Sequence, residues 1–67
     1  MMNDEFLAPA EVTAITGLSV GALAQLRHQK MGPRYYKPTA KVILYKRSDV
    51  IEWVEASAHI DGRPVLA

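Results

Sequence analysis

Residues 9–29, with the sequence PAEVTAITGLSVGALAQLRHQ, decide the fold of this chain. A helix is predicted to begin at Pro9, because the missing N–H of proline costs nothing at the first helical position. Gly17 should end that helix by taking a left-handed conformation. Ser19 is a good N-cap for a second helix over residues 20–29. Two helices joined by so short a turn are typical of a helix-turn-helix motif.

Apolar residues at helical spacing mark the inward faces of both helices. They recur at three-residue steps, which places them on one side of each helix. The residues predicted to be buried are Val12 and Ile15 in the first helix, and Val20, Leu23 and Leu26 in the second. The exposed positions of the second helix should include Gly21, Ala24, Gln25 and His28.

The chain beyond the second helix predicts a β-hairpin and a third helix. Aromatic and β-branched residues over 34–37 and 41–45 flank a turn at residues 38–40. Because an isolated hairpin is marginal in water, this one must pack on the helices. Ser48 is expected to cap a third helix that ends near Ala58.

This order of elements predicts a mainly α fold with a small β-hairpin, arranged as a winged helix-turn-helix. The expected divisions are a flexible arm over residues 1–6, a DNA-binding domain over 7–59 and a tail over 60–67. Trp53 lies at helical spacing from Val50 and is expected in the core. A chain of 67 residues is near the lower size limit for a core without disulfides or metals.

Charge is unevenly distributed along the chain. Between Val12 and Ser48 there is no Asp or Glu but there are seven cations: Arg27, Lys30, Arg34, Lys37, Lys41, Lys46 and Arg47. All the acidic residues lie outside that window, so the net charge of +1 conceals a divided molecule. One basic stretch between acidic ends favours a polyanion as partner. Arg47 is equally suited to DNA and to pairing with Asp49 or Glu52.

Several short motifs follow one another in a fixed order. They are Leu7–Val12, Gly17–Val20, Leu23, Arg27, Gly32-Pro33, Tyr36-Lys37, Tyr45–Val50 and Trp53. Their combination resembles the excisionase-like, MerR-related winged helix-turn-helix family, which includes AlpA-type prophage regulators. The resemblance implies a second helix in the major groove of DNA and a hairpin on the backbone or an adjacent minor groove. For the excisionase members it implies cooperative binding to direct repeats, DNA bending and assistance to an integrase.

The candidate DNA-binding residues lie on the second helix and the hairpin. Gln25 can pair with adenine through its amide, whereas Arg27 and His28 suit phosphates or bases. Lys37 and Lys41 should form one cationic point at the hairpin tip, although exposed lysines on strands also discourage aggregation. The complete set is Ser19, Val20, Gly21, Ala24, Gln25, Arg27, His28, Arg34, Tyr36, Lys37, Lys41 and Lys46.

A protein-interaction or assembly module is the alternative function. The DNA-recognising domain of a small terminase subunit is similar in shape, and some such folds bind proteins instead. Two features support this interpretation: few polar side chains on the second helix, and an acidic third helix containing Glu52 and Glu55.

Other functional classes are not expected. The sequence has no nucleophile–base pair and no glycine-rich phosphate loop, so catalysis is not predicted. It has no cysteine, and His28 and His59 alone do not predict a metal site or cofactor. No apolar run approaches the length of a membrane span, and cysteine is absent, so we expect a soluble cytoplasmic protein. The expected partners are double-stranded DNA, an integrase and further copies of the same chain.

Overall fold

The computed structural model describes residues 5–60 and 63–64. In this part of the chain, three helices pack with a three-stranded antiparallel sheet, an α+β arrangement with more strand structure than the predicted hairpin. The elements are β1 (Phe6–Leu7), α1 (Pro9–Thr16), α2 (Val20–His28), β2 (Tyr36–Thr39), β3 (Val42–Lys46), α3 (Arg47–Ala56), β4 (His59–Ile60) and β5 (Arg63–Pro64).

Helix α1 has the predicted bounds. It begins at Pro9 and ends before Gly17, whose φ of 78° is left-handed and whose N–H donates to the Thr13 carbonyl over 2.9 Å. Ala8 occupies the N-cap position and has no side chain that could accept a hydrogen bond. Its backbone N–H instead donates to Glu11 Oε1 at 2.8 Å, so the helix start is only half capped.

Helix α2 begins as predicted and ends in a tight hydrogen-bonded turn. Ser19 Oγ accepts from the Ala22 N–H at 3.0 Å, which confirms Ser19 as the N-cap. At the other end, the N–H of Met31 donates to the Leu26 carbonyl and that of Lys30 to the Arg27 carbonyl. This is the Schellman pattern, in which the left-handed position is usually glycine. Here that position is Lys30, with φ of 58°.

The sheet has the strand order β1-β3-β2, so the hairpin strand β3 is central. Phe6 pairs with Lys46 and Leu7 with Tyr45. Strand β1 was not predicted from the sequence, and Phe6 was assigned to the flexible arm over residues 1–6. A strand of two residues is too short to show the alternation of apolar and polar residues that predicts a strand. It forms because the edge of β3 that does not pair with β2 has free backbone hydrogen-bonding groups.

The hairpin turn is shorter than the predicted turn over residues 38–40 and starts two residues later. Strand β2 starts at Tyr36 and includes Pro38 and Thr39, which leaves Ala40 and Lys41 as the turn. The register shifts by one residue between the pairs Tyr36↔Leu44 and Thr39↔Val42. Such an irregularity accommodates Pro38, which has no N–H to donate to the neighbouring strand.

The prediction that Ser48 caps α3 is wrong. Lys46 is the N-cap, and the helix begins at Arg47 immediately after β3. The N–H of Arg47 donates to the Glu5 carbonyl at 3.1 Å, which extends the β1–β3 pairing to the helix start. The helix also ends two residues before Ala58, where Ser57 Oγ donates to the Val54 carbonyl at 2.6 Å.

Within the described residues, five buried apolar side chains form the core cluster, and Tyr45 is the largest of them: Leu7, Val12, Leu23, Tyr45 and Val50. Four of the residues predicted in the core are not fully buried: Ile15, Val20, Leu26 and Trp53. Ile15 and Leu26 are partly buried, and Ile15 packs against the core. Val20 is 50% exposed, because it is the first residue of α2 and lies beyond the packed part of the helix. Trp53 is only partly buried and borders a surface recess with Gly32 and Pro33.

The tail predicted over 60–67 is described only in part. The backbone of His59–Ile60 pairs antiparallel with that of Arg63–Pro64. The remaining positions of the tail lie outside the described residues.

Candidate nucleic-acid interface

Helix α2 and the β2–β3 hairpin enclose an open groove of about 270 Å³, here called the α2–hairpin groove. The helix contributes residues from its C-terminal half, and the hairpin contributes its turn and the inward side of β3. The lining residues are Ala24, Arg27, His28, Tyr35, Lys37, Ala40, Lys41 and Ile43. Five of the sequence-predicted residues therefore meet here: Ala24, Arg27, His28, Lys37 and Lys41.

The charge of this groove has one sign. Arg27, Lys37 and Lys41 line it, and no acidic residue does within residues 5–60 and 63–64. Lys37 and Lys41 are exposed, so their ammonium groups are available to a ligand. A concave surface lined by charges of one sign focuses the field and attracts an anion. The groove therefore favours a polyanion over a neutral ligand.

Arg27 is held in place by two tyrosines. Its Nη1 donates a 2.6 Å hydrogen bond to the hydroxyl of Tyr45. Its guanidinium also lies 5.7 Å from the centroid of the Tyr35 ring, within the range of a cation–π contact. Since a guanidinium carries five N–H donors, Arg27 keeps donors for a ligand after bonding Tyr45.

The two tyrosines are themselves in contact. The ring centroids of Tyr35 and Tyr45 lie 6.4 Å apart at an interplanar angle of 51°. Sequence reasoning missed both residues as parts of the site. The alternation of β3 could have placed Tyr45 inward beside Ile43, but nothing local pairs it with Arg27, eighteen positions earlier.

Lys37 on β2 and Lys41 in the hairpin turn line the same groove, as the sequence predicted. The N–H of Lys41 donates to Thr39 Oγ1 at 3.2 Å, which bridges the last residue of β2 to the turn. This bond favours one conformation of the turn and so helps to position the neighbouring cations.

The other predicted site residues lie elsewhere. Arg34 borders a neighbouring recess with Arg27 and Lys30, and its guanidinium lies 5.6 Å from the ring centroid of Tyr36. Tyr36 faces the opposite side of the sheet, and Lys46 is the partly buried N-cap of α3. Four more residues are exposed on or before α2 without lining the groove: Ser19, Val20, Gly21 and Gln25.

Within residues 5–60 and 63–64, no three His, Cys, Asp or Glu residues are grouped closely enough to hold a metal ion. No helix in that part of the chain has the length and apolar character needed to cross a membrane.

Comparison with known proteins finds no match to this chain among family models, curated proteins or solved structures.

Proposed function

We propose that this chain is a double-stranded DNA-binding protein of the winged helix-turn-helix class. The observation that carries the proposal is the α2–hairpin groove, where Arg27, Lys37 and Lys41 converge and no acidic residue from the described part of the chain lines the surface. The helix that lines it follows a short Gly-Leu-Ser connection, as recognition helices do. A polyanion with a regular backbone is the ligand that fits a cationic groove between a helix and a hairpin.

Within that class, α2 reads the bases. Gly21, Gln25 and His28 are all exposed, and their spacing of four and three residues places them on one face of the helix. Gln25 can bond an adenine edge through its amide, while Gly21 lets the helix approach the groove floor. Arg27 is committed to Tyr45 through one N–H, so its remaining donors are directed to phosphate.

The hairpin supplies the contacts that do not depend on sequence. Lys37 and Lys41 project beside the turn and would contact phosphates on the flank of the α2 site. Arg34 is exposed in the adjoining recess and would extend this cationic path. A single module of this size buries only about 600–1,000 Å² on DNA, so a monomer binds with modest specificity.

The biological role we propose is that of a phage, prophage or mobile-element protein in the cytoplasm. It would act as an excisionase, the recombination directionality factor that assists an integrase, or as a small transcription regulator. Its resemblance to the excisionase-like family supports this role. Modest affinity of one module also supports cooperative assembly of several copies on repeated DNA sites.

A protein-interaction module is the second candidate function. It is favoured by the exposed face of α3, where Ile51 is 36% exposed beside the exposed carboxylates of Glu52 and Glu55. The face of α2 also favours this second function, because its polar side chains that could contact bases are only Gln25 and His28, together with the N-cap Ser19. If this second function holds, reversing charges in the α2–hairpin groove leaves the physiological interaction unchanged.

Fluorescence anisotropy with a mixed-sequence DNA duplex, titrated at several salt concentrations, tests the first function. With about five phosphate contacts, log affinity should fall against log salt with a slope of roughly −4 to −5. Absence of binding at low salt would reject DNA as the ligand.

A pair of charge reversals locates the contact. Lys37→Glu with Lys41→Glu should abolish binding. The single reversals Lys37→Glu and Arg47→Glu change the net charge equally, but Arg47 lines neither the groove nor the adjoining recess, so Arg47→Glu should weaken binding far less than Lys37→Glu. Equal losses in these two single variants would show that total charge, rather than the groove, determines affinity.

A further inference from the structure

The outer face of the three-stranded sheet is apolar. Strand alternation places Ile43 and Tyr45 inward and Val42 and Leu44 outward. Phe6 on β1 is 50% exposed and Val42 is 40% exposed. The solvent side of an antiparallel sheet normally carries polar residues, so this face departs from the usual pattern.

This face contains an open recess of about 420 Å³, lined by Phe6, Tyr36, Lys37, Pro38 and Leu44. The ring of Phe6 meets that of Tyr36 edge to face, with centroids 5.3 Å apart and planes at 85°. Phe6 and Tyr36 lie on the two strands that flank β3, so the aromatic pair spans the central strand. The recess walls are thus fixed by sheet pairing and ring packing.

The border of the recess is cationic. Lys37 lines it and is exposed. The Arg34 guanidinium, also exposed, lies 5.6 Å from the Tyr36 ring centroid. Among the residues that the structure describes, no acidic residue lines the recess. Apolar walls beside cations suit a ligand that carries both apolar groups and carboxylates.

We propose that the outer sheet face binds an acidic amphipathic segment of another protein. Apolar side chains of that segment enter the recess beside Phe6 and Leu44, and its carboxylates meet Lys37 and Arg34. A symmetric dimer through this face is disfavoured, because it would bring the cations of the two copies close to one another. DNA is disfavoured because the recess offers apolar walls where phosphates need donors.

Two synthetic peptides test this inference. Both carry leucine at helical spacing; one has glutamate and the other lysine at every remaining position. Each is titrated by NMR into isotope-labelled protein. The glutamate peptide should shift the amide signals of Phe6, Tyr36 and Leu44, and the lysine peptide should not. Equal binding of both peptides, or binding of neither, would overturn the inference.

A matched pair of variants tests whether the glutamate peptide binds at this recess. Phe6→Ser should lower the affinity for the glutamate peptide about tenfold, as loss of a central aromatic contact does. Val20→Ser removes an apolar side chain of the same fractional exposure from α2 and should leave peptide binding unchanged. Equal weakening in the two variants would also overturn the inference.

Two further measurements separate this surface from the α2–hairpin groove and from self-association. Phe6→Ser should keep its affinity for duplex DNA, since Phe6 does not line the α2–hairpin groove. Sedimentation of the unmodified protein should show a monomer. Oligomers that Phe6→Ser disperses would assign the face to a second copy and overturn the proposed partner.

Discussion

Arg27 on α2 is hydrogen-bonded to the hydroxyl of Tyr45 on β3 over 2.6 Å, which joins a candidate DNA-contacting residue to the largest side chain of the core. The bond lets a fully buried tyrosine satisfy its hydroxyl. It also links α2 to the central strand of the sheet. Core packing and the geometry of the α2–hairpin groove therefore depend on one shared contact.

Tyr45→Phe should lower the free energy of unfolding by about 1–2 kcal/mol, because it removes a partly buried hydrogen bond to a charged group. Urea denaturation followed by circular dichroism measures the change. Tyr35→Phe is the control, since Tyr35 contacts Arg27 through its ring. An equal loss in the control would show that removing any tyrosine hydroxyl destabilises the protein, and that the Arg27–Tyr45 hydrogen bond has no special role.

Lys30→Gly should raise the free energy of unfolding by about 0.5–1 kcal/mol, because glycine adopts the left-handed conformation of Lys30 without steric cost. Lys30→Ala removes the same charge but retains the Cβ atom, so it should give no gain. Thermal unfolding of both variants measures the effect. A similar gain in Lys30→Ala would attribute it to charge.

Ala8→Ser should stabilise the protein by about 0.5–1 kcal/mol by completing the cap of α1. The backbone of Ala8, with φ −73° and ψ 157°, already matches that of Ser19, with φ −69° and ψ 162°. The reverse change, Ser19→Ala, should cost about 1 kcal/mol. Chemical denaturation measures both. If Ala8→Ser has no effect, the bond from the Ala8 N–H to Glu11 already suffices.

Leu23→Ala should leave the protein largely unfolded at room temperature. Truncation of a fully buried leucine costs about 2–5 kcal/mol, and a core of this size supplies only about 3–5 kcal/mol. Val20→Ala should change stability by less than about 0.5 kcal/mol, because Val20 is half exposed. Far-ultraviolet circular dichroism distinguishes these outcomes. A folded Leu23→Ala variant would contradict the assigned core.

The parts of the fold that depend on local chemistry were predictable from sequence. Pro9, Gly17 and Ser19 define helix ends through their own backbone and side-chain properties, and the structure confirms all three. The cap of α3 was not predictable in this way. Ser48 has the right chemistry, but pairing of β1 with β3 starts the helix earlier.

The candidate site was only partly predictable, for the same reason. Lys37 and Lys41 converge because a hairpin turn brings neighbours in sequence together. The Arg27–Tyr45 contact instead depends on how α2 packs against the sheet, which no local pattern encodes. Trp53 and Tyr45 illustrate this: both are large aromatics, yet the central strand position buries Tyr45 and the helix surface leaves Trp53 partly exposed.

Strand β3 passes directly into α3 at Lys46, and this restricts where residues can be inserted into the chain. Because the strand and the helix share this junction, one inserted residue would rotate α3 by about 100° and turn Val50 out of the core. The turn at Ala40 and Lys41 has no such constraint, since both residues are exposed. Insertions should therefore be tolerated at the hairpin tip and rejected at the junction, so the reach of the hairpin can vary while the body of the protein stays constant.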